Sequence, residues 1–199
     1  IISSLSLCLM LKTNTVASAA LAAVLSISSK YIFRINGKHI FNPTNFGIII
    51  TILLTKDAWI TPGQWGSNGL LLFLIGSLGF SVLLTVKRLD IAFTFLITFC
   101  GLSYFRQIIY LGWTHDFFLH TFTSGTLLLF TFFMITDPVS TPSSKTARII
   151  WAALVGVMAY WMQTKLFITG APVWAVFLLS PLTPLFDQLF KAEKFQWNK

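Results

Sequence analysis

Apolar residues come in long blocks separated by short polar stretches, with no sustained alternation. The blocks cover roughly residues 1–11, 14–29, 43–55, 68–86, 89–105, 117–136, 149–163 and 166–186. As a helix, about 20 apolar residues match the ~30 Å hydrocarbon thickness of a bilayer. The blocks at 14–29 and 43–55 fall short of that and predict broken or half-length helices, which are tolerated where protein covers their ends. The predicted fold class is all-α: a polytopic membrane protein of about eight transmembrane or half-length helices with re-entrant turns. Residues 1–199 read as a single transmembrane domain. The chain opens at Ile1, already inside an apolar block and with no basic leader before it, which reads as a piece of a longer chain.

Composition agrees. Of 199 residues, 55% are apolar and only 10% charged. A soluble domain carries about a quarter charged residues, so this chain cannot clothe itself in an ordinary polar surface. Its apolar content equally excludes a disordered chain. The net charge of +8 comes from 14 Lys and Arg against 6 Asp and Glu. These cations sit singly or in pairs between apolar blocks and not along one groove, which argues against nucleic acid as a partner. If all eight blocks cross, one side receives Lys30, Arg34, Lys38, Lys87, Arg88, Lys145, Arg148, Lys191, Lys194 and Lys199, and the other only Lys12, Lys56, Arg106 and Lys165. The richer side is the cytoplasmic one by the positive-inside rule, and the tail 191–199 lies there. The expected location is the inner (cytoplasmic) membrane, multi-pass. Trp59, Trp65, Trp113 and Trp174 fall near the sparsely charged face and Trp151 near the basic face, as interfacial anchors do. Cys8 and Cys100 lie inside apolar blocks without a CxxC spacing, so both are expected to be buried small residues and no metal site is expected.

Four polar stretches stand out. In Asn36-Gly37-Lys38-His39-Ile40-Phe41-Asn42-Pro43-Thr44-Asn45-Phe46-Gly47, Asn42 can cap a helix that begins at Pro43. The polar Asn42, Thr44 and Asn45 would be costly near lipid unless paired. Ser124-Gly125-Thr126 is small enough to admit a neighbouring helix or a flat ligand. Its block ends at Thr136-Asp137-Pro138, and a boundary carboxylate such as Asp137 is a functional-site candidate as well as a turn residue. His115-Asp116 and His120 are poorly spaced for a shared helical face, which makes a paired-histidine haem site a poor fit. Pro172, Pro181 and Pro184 interrupt the last block, and Asp187 is expected to pair with Lys191 four residues on. No nucleotide-binding, zinc-protease or nucleophile-elbow motif is present.

At these residues the sequence resembles the NqrB/RnfD family of membrane subunits. The strings are Gly37-Lys38-His39-Ile40-Phe41-Asn42-Pro43, Ser124-Gly125, Phe132-Phe133-Met134-Ile135-Thr136-Asp137-Pro138-Val139 and Thr183-Pro184-Leu185-Phe186-Asp187. The likeness runs from about residue 5 to 190, and residues 41–47 look closest to a shorter RnfD-like branch. The resemblance implies a multi-span subunit of an electron-transfer complex that carries flavin, coupled in some members to Na+ or H+ movement. It further implies a covalent FMN on the threonine of a Ser-Gly-Ala-Thr motif in the loop after the third block. Here that loop, residues 56–66, lacks the motif, and Phe80 stands where the family often has a polar residue. Covalent FMN is therefore not expected. What remains is noncovalent riboflavin or FMN, or a quinone, held by Lys38, Phe41, Asn42, Thr44, Asn45, Ser124, Gly125, Thr126 and Asp137. Partners would be the lipid bilayer and other membrane and electron-transfer subunits, the chain being part of an oxidoreductase complex. An ion or solute transporter module and a non-redox scaffold subunit stay open as alternatives.

Overall fold

The computed structural model describes residues 2–61, 69–122, 124–193 and 195. Helices dominate: α1 (Ile2–Met10), α2 (Val16–Ile32), α3 (Pro43–Thr55), α4 (Gly69–Val86), α5 (Leu89–Tyr104), α6 (His115–Phe122), α7 (Gly125–Leu129), α8 (Lys145–Lys165), α9 (Ala171–Leu179) and α10 (Thr183–Leu189). Wider π turns extend α5 through Phe105–Tyr110 and α7 through Phe130–Met134. Two short antiparallel ribbons qualify the all-α expectation. Strands β1 (Leu11–Thr13) and β4 (Ala58–Ile60) pair with one another, as do β2 (Arg34–Ile35) and β3 (Lys38–His39). Asn36 and Gly37, both at positive φ, make the β2–β3 turn.

The helices run back and forth between two ends. The β1–β4 ribbon marks one, where Thr61 N donates to Met10 O and Ile60 lies against Gly170. The β2–β3 hairpin marks the other, where the chain meets residues 137–143 and α10. The core between them includes the fully buried Phe95, Phe130, Ile48, Ile49, Trp151 and Val173. Trp151 Nε1 donates to Leu179 O at 3.2 Å, which satisfies a carbonyl at the end of α9.

Helix α3 is sheathed by protein over most of its length, with Pro43 to Ile49 and Thr51 all buried. Against it lies a stripe of small residues on α2, Ser18, Ala22, Ser26 and Ser29. A Cβ placed on Gly47 would stand 1.9 Å from Ser26 Oγ and 2.6 Å from Ala22 O. Glycine is what lets these two backbones touch.

The described residues show one full-length apolar helix and several shorter ones. Among the described residues, Leu89–Tyr110 is one 22-residue helix long and apolar enough to cross a membrane. The apolar helices Val16–Ile32, Pro43–Thr55, Gly76–Val86 and Gly125–Met134 are shorter. Helix α8 has the length, 21 residues, but carries Lys145, Arg148 and Lys165. The block 117–136 divides into α6 and α7, and 166–186 divides into α9, a 3-10 turn and α10. Each proline of that last block opens an element instead of ending one: Pro172 in α9, Pro181 in Ser180–Leu182, Pro184 in α10. The fold is a helical bundle with one clear spanning helix and several shorter apolar ones. Cys8 is exposed, contrary to its expected burial, and Cys100 is partly buried. Trp65, Lys194 and residues 196–199 lie outside the described residues.

Candidate functional site

The Asn-Pro turn and the Asp-Pro turn meet. Asn42 caps α3 with its side-chain oxygen, which accepts from Asn45 N at 3.2 Å, and Pro43 fills the first turn. Its amide nitrogen is then left to donate outward, to Met134 O at 3.3 Å and Asp137 Oδ2 at 3.4 Å. Met134 closes a π turn, so its carbonyl is one of those a helix end leaves without an internal partner. Asn45, 1% exposed, donates to Val173 O at 2.8 Å and to Met134 Sδ at 3.4 Å, joining α3 to α9 and to the end of α7.

Three carboxylates at this end each face a basic side chain. His39 Nε2 lies 3.1 Å from Asp137 Oδ2. Lys38 Nζ lies 2.7 Å from Asp187 Oδ2, and it also donates to Thr141 O at 2.7 Å. Arg148 Nε lies 2.6 Å from Asp90 Oδ2. The expected Asp187–Lys191 pair does not form. Helix α10 ends at Leu189, so Lys191 is off the helix face that the spacing requires, and Lys38 reaches Asp187 across the bundle. Backbone donors complete the set: Ser143 N to Asp187 Oδ1 at 2.7 Å and Val139 N to Asp137 Oδ1 at 3.1 Å. Asp137 is therefore both a turn residue and the acceptor that holds the hairpin.

Burial works to raise the Asp137 carboxyl. The hydrogen bond and charge of His39, with Val139 N and Ser140, outweigh it and hold the group below its ordinary value. Arg88, only 4% exposed, is drawn down to about 10, first by burial and then by Arg148. It stays charged at neutral pH and donates to Pro138 O at 3.4 Å. Arg88, Asp90 and Arg148 were not among the sequence candidates. The available signal was Asp90 itself, one of six acids, placed beside Arg88 on the basic side.

The candidate residues fall into separate places. Lys38, Asn42, Asn45 and Asp137 belong to or adjoin this network. Phe41 stacks on Phe177 at 5.1 Å, with Phe33 and Phe46 beside it. Thr44 is buried and borders, with Asn42, Leu129 and Met134, a gap of about 20 Å³. That is room for a single water. Ser124, Gly125 and Thr126 stand at the other end of Gly125–Met134. There Thr126 Oγ1 donates to Thr61 O, and Ser124 and Thr126 line a cavity of about 380 Å³ with Phe99, Phe130, Gln163 and Thr169. His115 stacks on Tyr104 at 6.0 Å. Among the described residues no group of three His, Cys, Asp or Glu is placed to hold a metal ion.

A family model described as the NQR2, RnfD, RnfE family matches residues 14–196, nearly the whole chain and every element of this network. The chain belongs to that family. Its relatives in the NQR2, RnfD, RnfE family include three proteins named as components of an ion-translocating oxidoreductase complex. The one from Stutzerimonas stutzeri is 30% identical over 136 residues, 68% of this chain and 38% of that protein. The one from Haemophilus influenzae is 30% identical over 140 residues, 70% of this chain and 38% of that protein. The one from Shewanella amazonensis is 32% identical over 82 residues, 41% of this chain and 24% of that protein. The chain thus spans less than two fifths of the length of these relatives. Membership of the NQR2, RnfD, RnfE family relates it to RnfD- and NqrB-type subunits of electron-transport complexes.

Proposed function

We propose that the chain is a membrane subunit of an electron-transfer complex and that it holds a flat redox ring, a noncovalent flavin or a quinone, in the cavity bordered by Ser124 and Thr126. The observation that carries this reading is the cavity itself. Its 380 Å³ lie within the roughly 300–1,000 Å³ of small-molecule sites. Phe99 and Phe130 give it an apolar floor, and Ser124, Gln163 and Thr169 offer polar atoms for ring carbonyls and nitrogens. The gap beside Asn42 and Thr44 is too small for such a ring. Lys38, engaged by Asp187 and Thr141, stands at the opposite end of the bundle, away from any charge the ring would develop. The Asn42–Asp137 network then fixes the helices that wall the cavity, acting as a positioning device and not as a ligand. A bound ring would supply reversible electron uptake; this chain's residues would orient it and keep water from it.

The test is the visible absorption spectrum of the purified complex, with acid extraction and identification of any flavin or quinone released. A released, noncovalent chromophore that is lost on filling the cavity with Ala171→Phe supports the reading. An intact complex without flavin or quinone overturns it in favour of a scaffold subunit.

A further inference from the structure

A second, larger groove of about 490 Å³ lies at the basic end, between the end of α2, the β2–β3 hairpin and Pro138. Four of its lining residues are Lys30, Arg34, Lys38 and His39, and none is Asp or Glu. Lys38 and His39 face Asp187 and Asp137. Lys30 and Arg34 have no carboxylate partner among the described residues, and both are exposed. Arg34 is held by the hairpin register directly across from His39, and its Nη2 donates to Gly37 O at 3.5 Å. Basic groups gathered this closely repel one another unless an anion joins them.

The chain itself offers little to neutralise them. Asp90, Asp137 and Asp187 are occupied, and Asp57 is bound by Thr15 and Ser18 near the other ribbon. Glu193, two residues before the groove-lining Phe195, pairs with neither Lys30 nor Arg34. Beside the cations the groove wall is apolar: Tyr31, 71% exposed, with Pro138, Val139 and Phe195. A free inorganic anion would have no use for that neighbourhood. A phosphate carried on an acyl tail would use both halves of it.

We propose that this groove binds the phosphate of an acidic phospholipid, with Arg34 and Lys30 as its anion ligands and Tyr31 and Val139 lying against the chains. Arg34 offers the planar fork that suits phosphate oxygens, and Lys30 adds a point charge. The C-terminal carbonyls of α2 repel an anion, so side chains and not the helix end make the site. The groove lies on the side that the charge asymmetry marks as cytoplasmic, the leaflet where basic pockets meet anionic headgroups. The inference rests on the membrane reading above, and reconstitution separates the two.

The complex containing this chain is reconstituted into phosphatidylcholine vesicles and titrated with a fluorescent phosphatidylglycerol. The Lys30→Gln/Arg34→Gln double variant is expected to bind roughly 30-fold more weakly. Lys12→Gln/Lys165→Gln, at the other end, is expected to leave binding unchanged, and Arg34→Lys to restore part of it. Glu193→Gln is expected to have no effect; tighter binding in that variant would reveal the tail as the natural occupant and overturn the proposal. Equal preference for phosphatidylglycerol and phosphatidylcholine overturns it as well. Competition by millimolar inorganic phosphate that matches the lipid overturns the lipid as the source of the phosphate. Failure to enter phosphatidylcholine vesicles at all would sink the membrane reading instead.

Discussion

Asp137 gathers four partners with one side chain: His39, the Asn42 amide, Val139 N and Ser140. Asp187 gathers two, Lys38 and Ser143 N, and its side chain is the more open, 24% exposed against 17%. Asp137→Ala is therefore expected to destabilise the protein in detergent more than Asp187→Ala, by about 2–3 kcal/mol against about 1–2, read as the larger fall in melting temperature. The reverse order would show that the Lys38 tether carries the hairpin. The acid response follows from the same residue. Its folded pKa is depressed, so its contribution is fully present above the unfolded value near ~4 and is lost as pH falls through the lower folded value. The gap in stability between wild type and Asp137→Asn is expected to close as pH falls below about 4, as paired thermal melts would record. Asn42 was legible because an Asn-Pro step before an apolar run writes a helix start locally. The Lys38–Asp187 pair was not, because its partners are 149 positions apart and only the fold brings them together.

At the scale of elements, the third apolar block gave the true bounds of α3, Pro43–Thr55, because Pro43 and the polar Lys56-Asp57 punctuate it. The last block reads in sequence as one kinked rod, and the structure divides it. Each proline sits in the first turn of its element, where its missing N–H costs nothing, so three of them make three starts. The ribbons have no signature in the sequence because two or three residues carry no periodicity of their own. The α2–α3 contact yields a sharp expectation. Gly47→Ala must displace both a side chain and the Ala22 carbonyl, which should cost about 1–3 kcal/mol. Adding Ser26→Ala should recover only part of that loss, since the carbonyl remains. Full recovery in the double variant, measured by thermal unfolding in detergent, would mean that the backbones are not in contact.

For the whole molecule, the charge asymmetry proved more informative than the block lengths. It placed the Asn42, Asp137 and Asp187 turns on one side, and the structure brings all three to one end. The shortness of blocks 14–29 and 43–55 was legible in the sequence; the division of 117–136 and 166–186 was not, because length along the sequence says nothing of where a helix divides. The arrangement predicts a labelling pattern. In a variant lacking Cys8 and Cys100, single cysteines at Lys30 and Lys145 should react with an impermeant maleimide from one side of the membrane, and one at Lys165 from the other. Labelling of Lys30→Cys and Lys145→Cys from opposite sides would break the topology.

The enclosure of α3 bears on how the protein is made. Thirteen residues of helix reach about 20 Å, less than a bilayer needs, so this segment cannot settle into lipid unaided as it leaves the ribosome. The carbonyl that accepts from Asn45 belongs to Val173, 128 positions further along the chain. Until Val173 emerges, the Asn45 amide is left without this acceptor. The nascent chain must hold an unfinished interior for more than a hundred residues, and released chains truncated before residue 171 should be more protease-sensitive than chains that extend through residue 190.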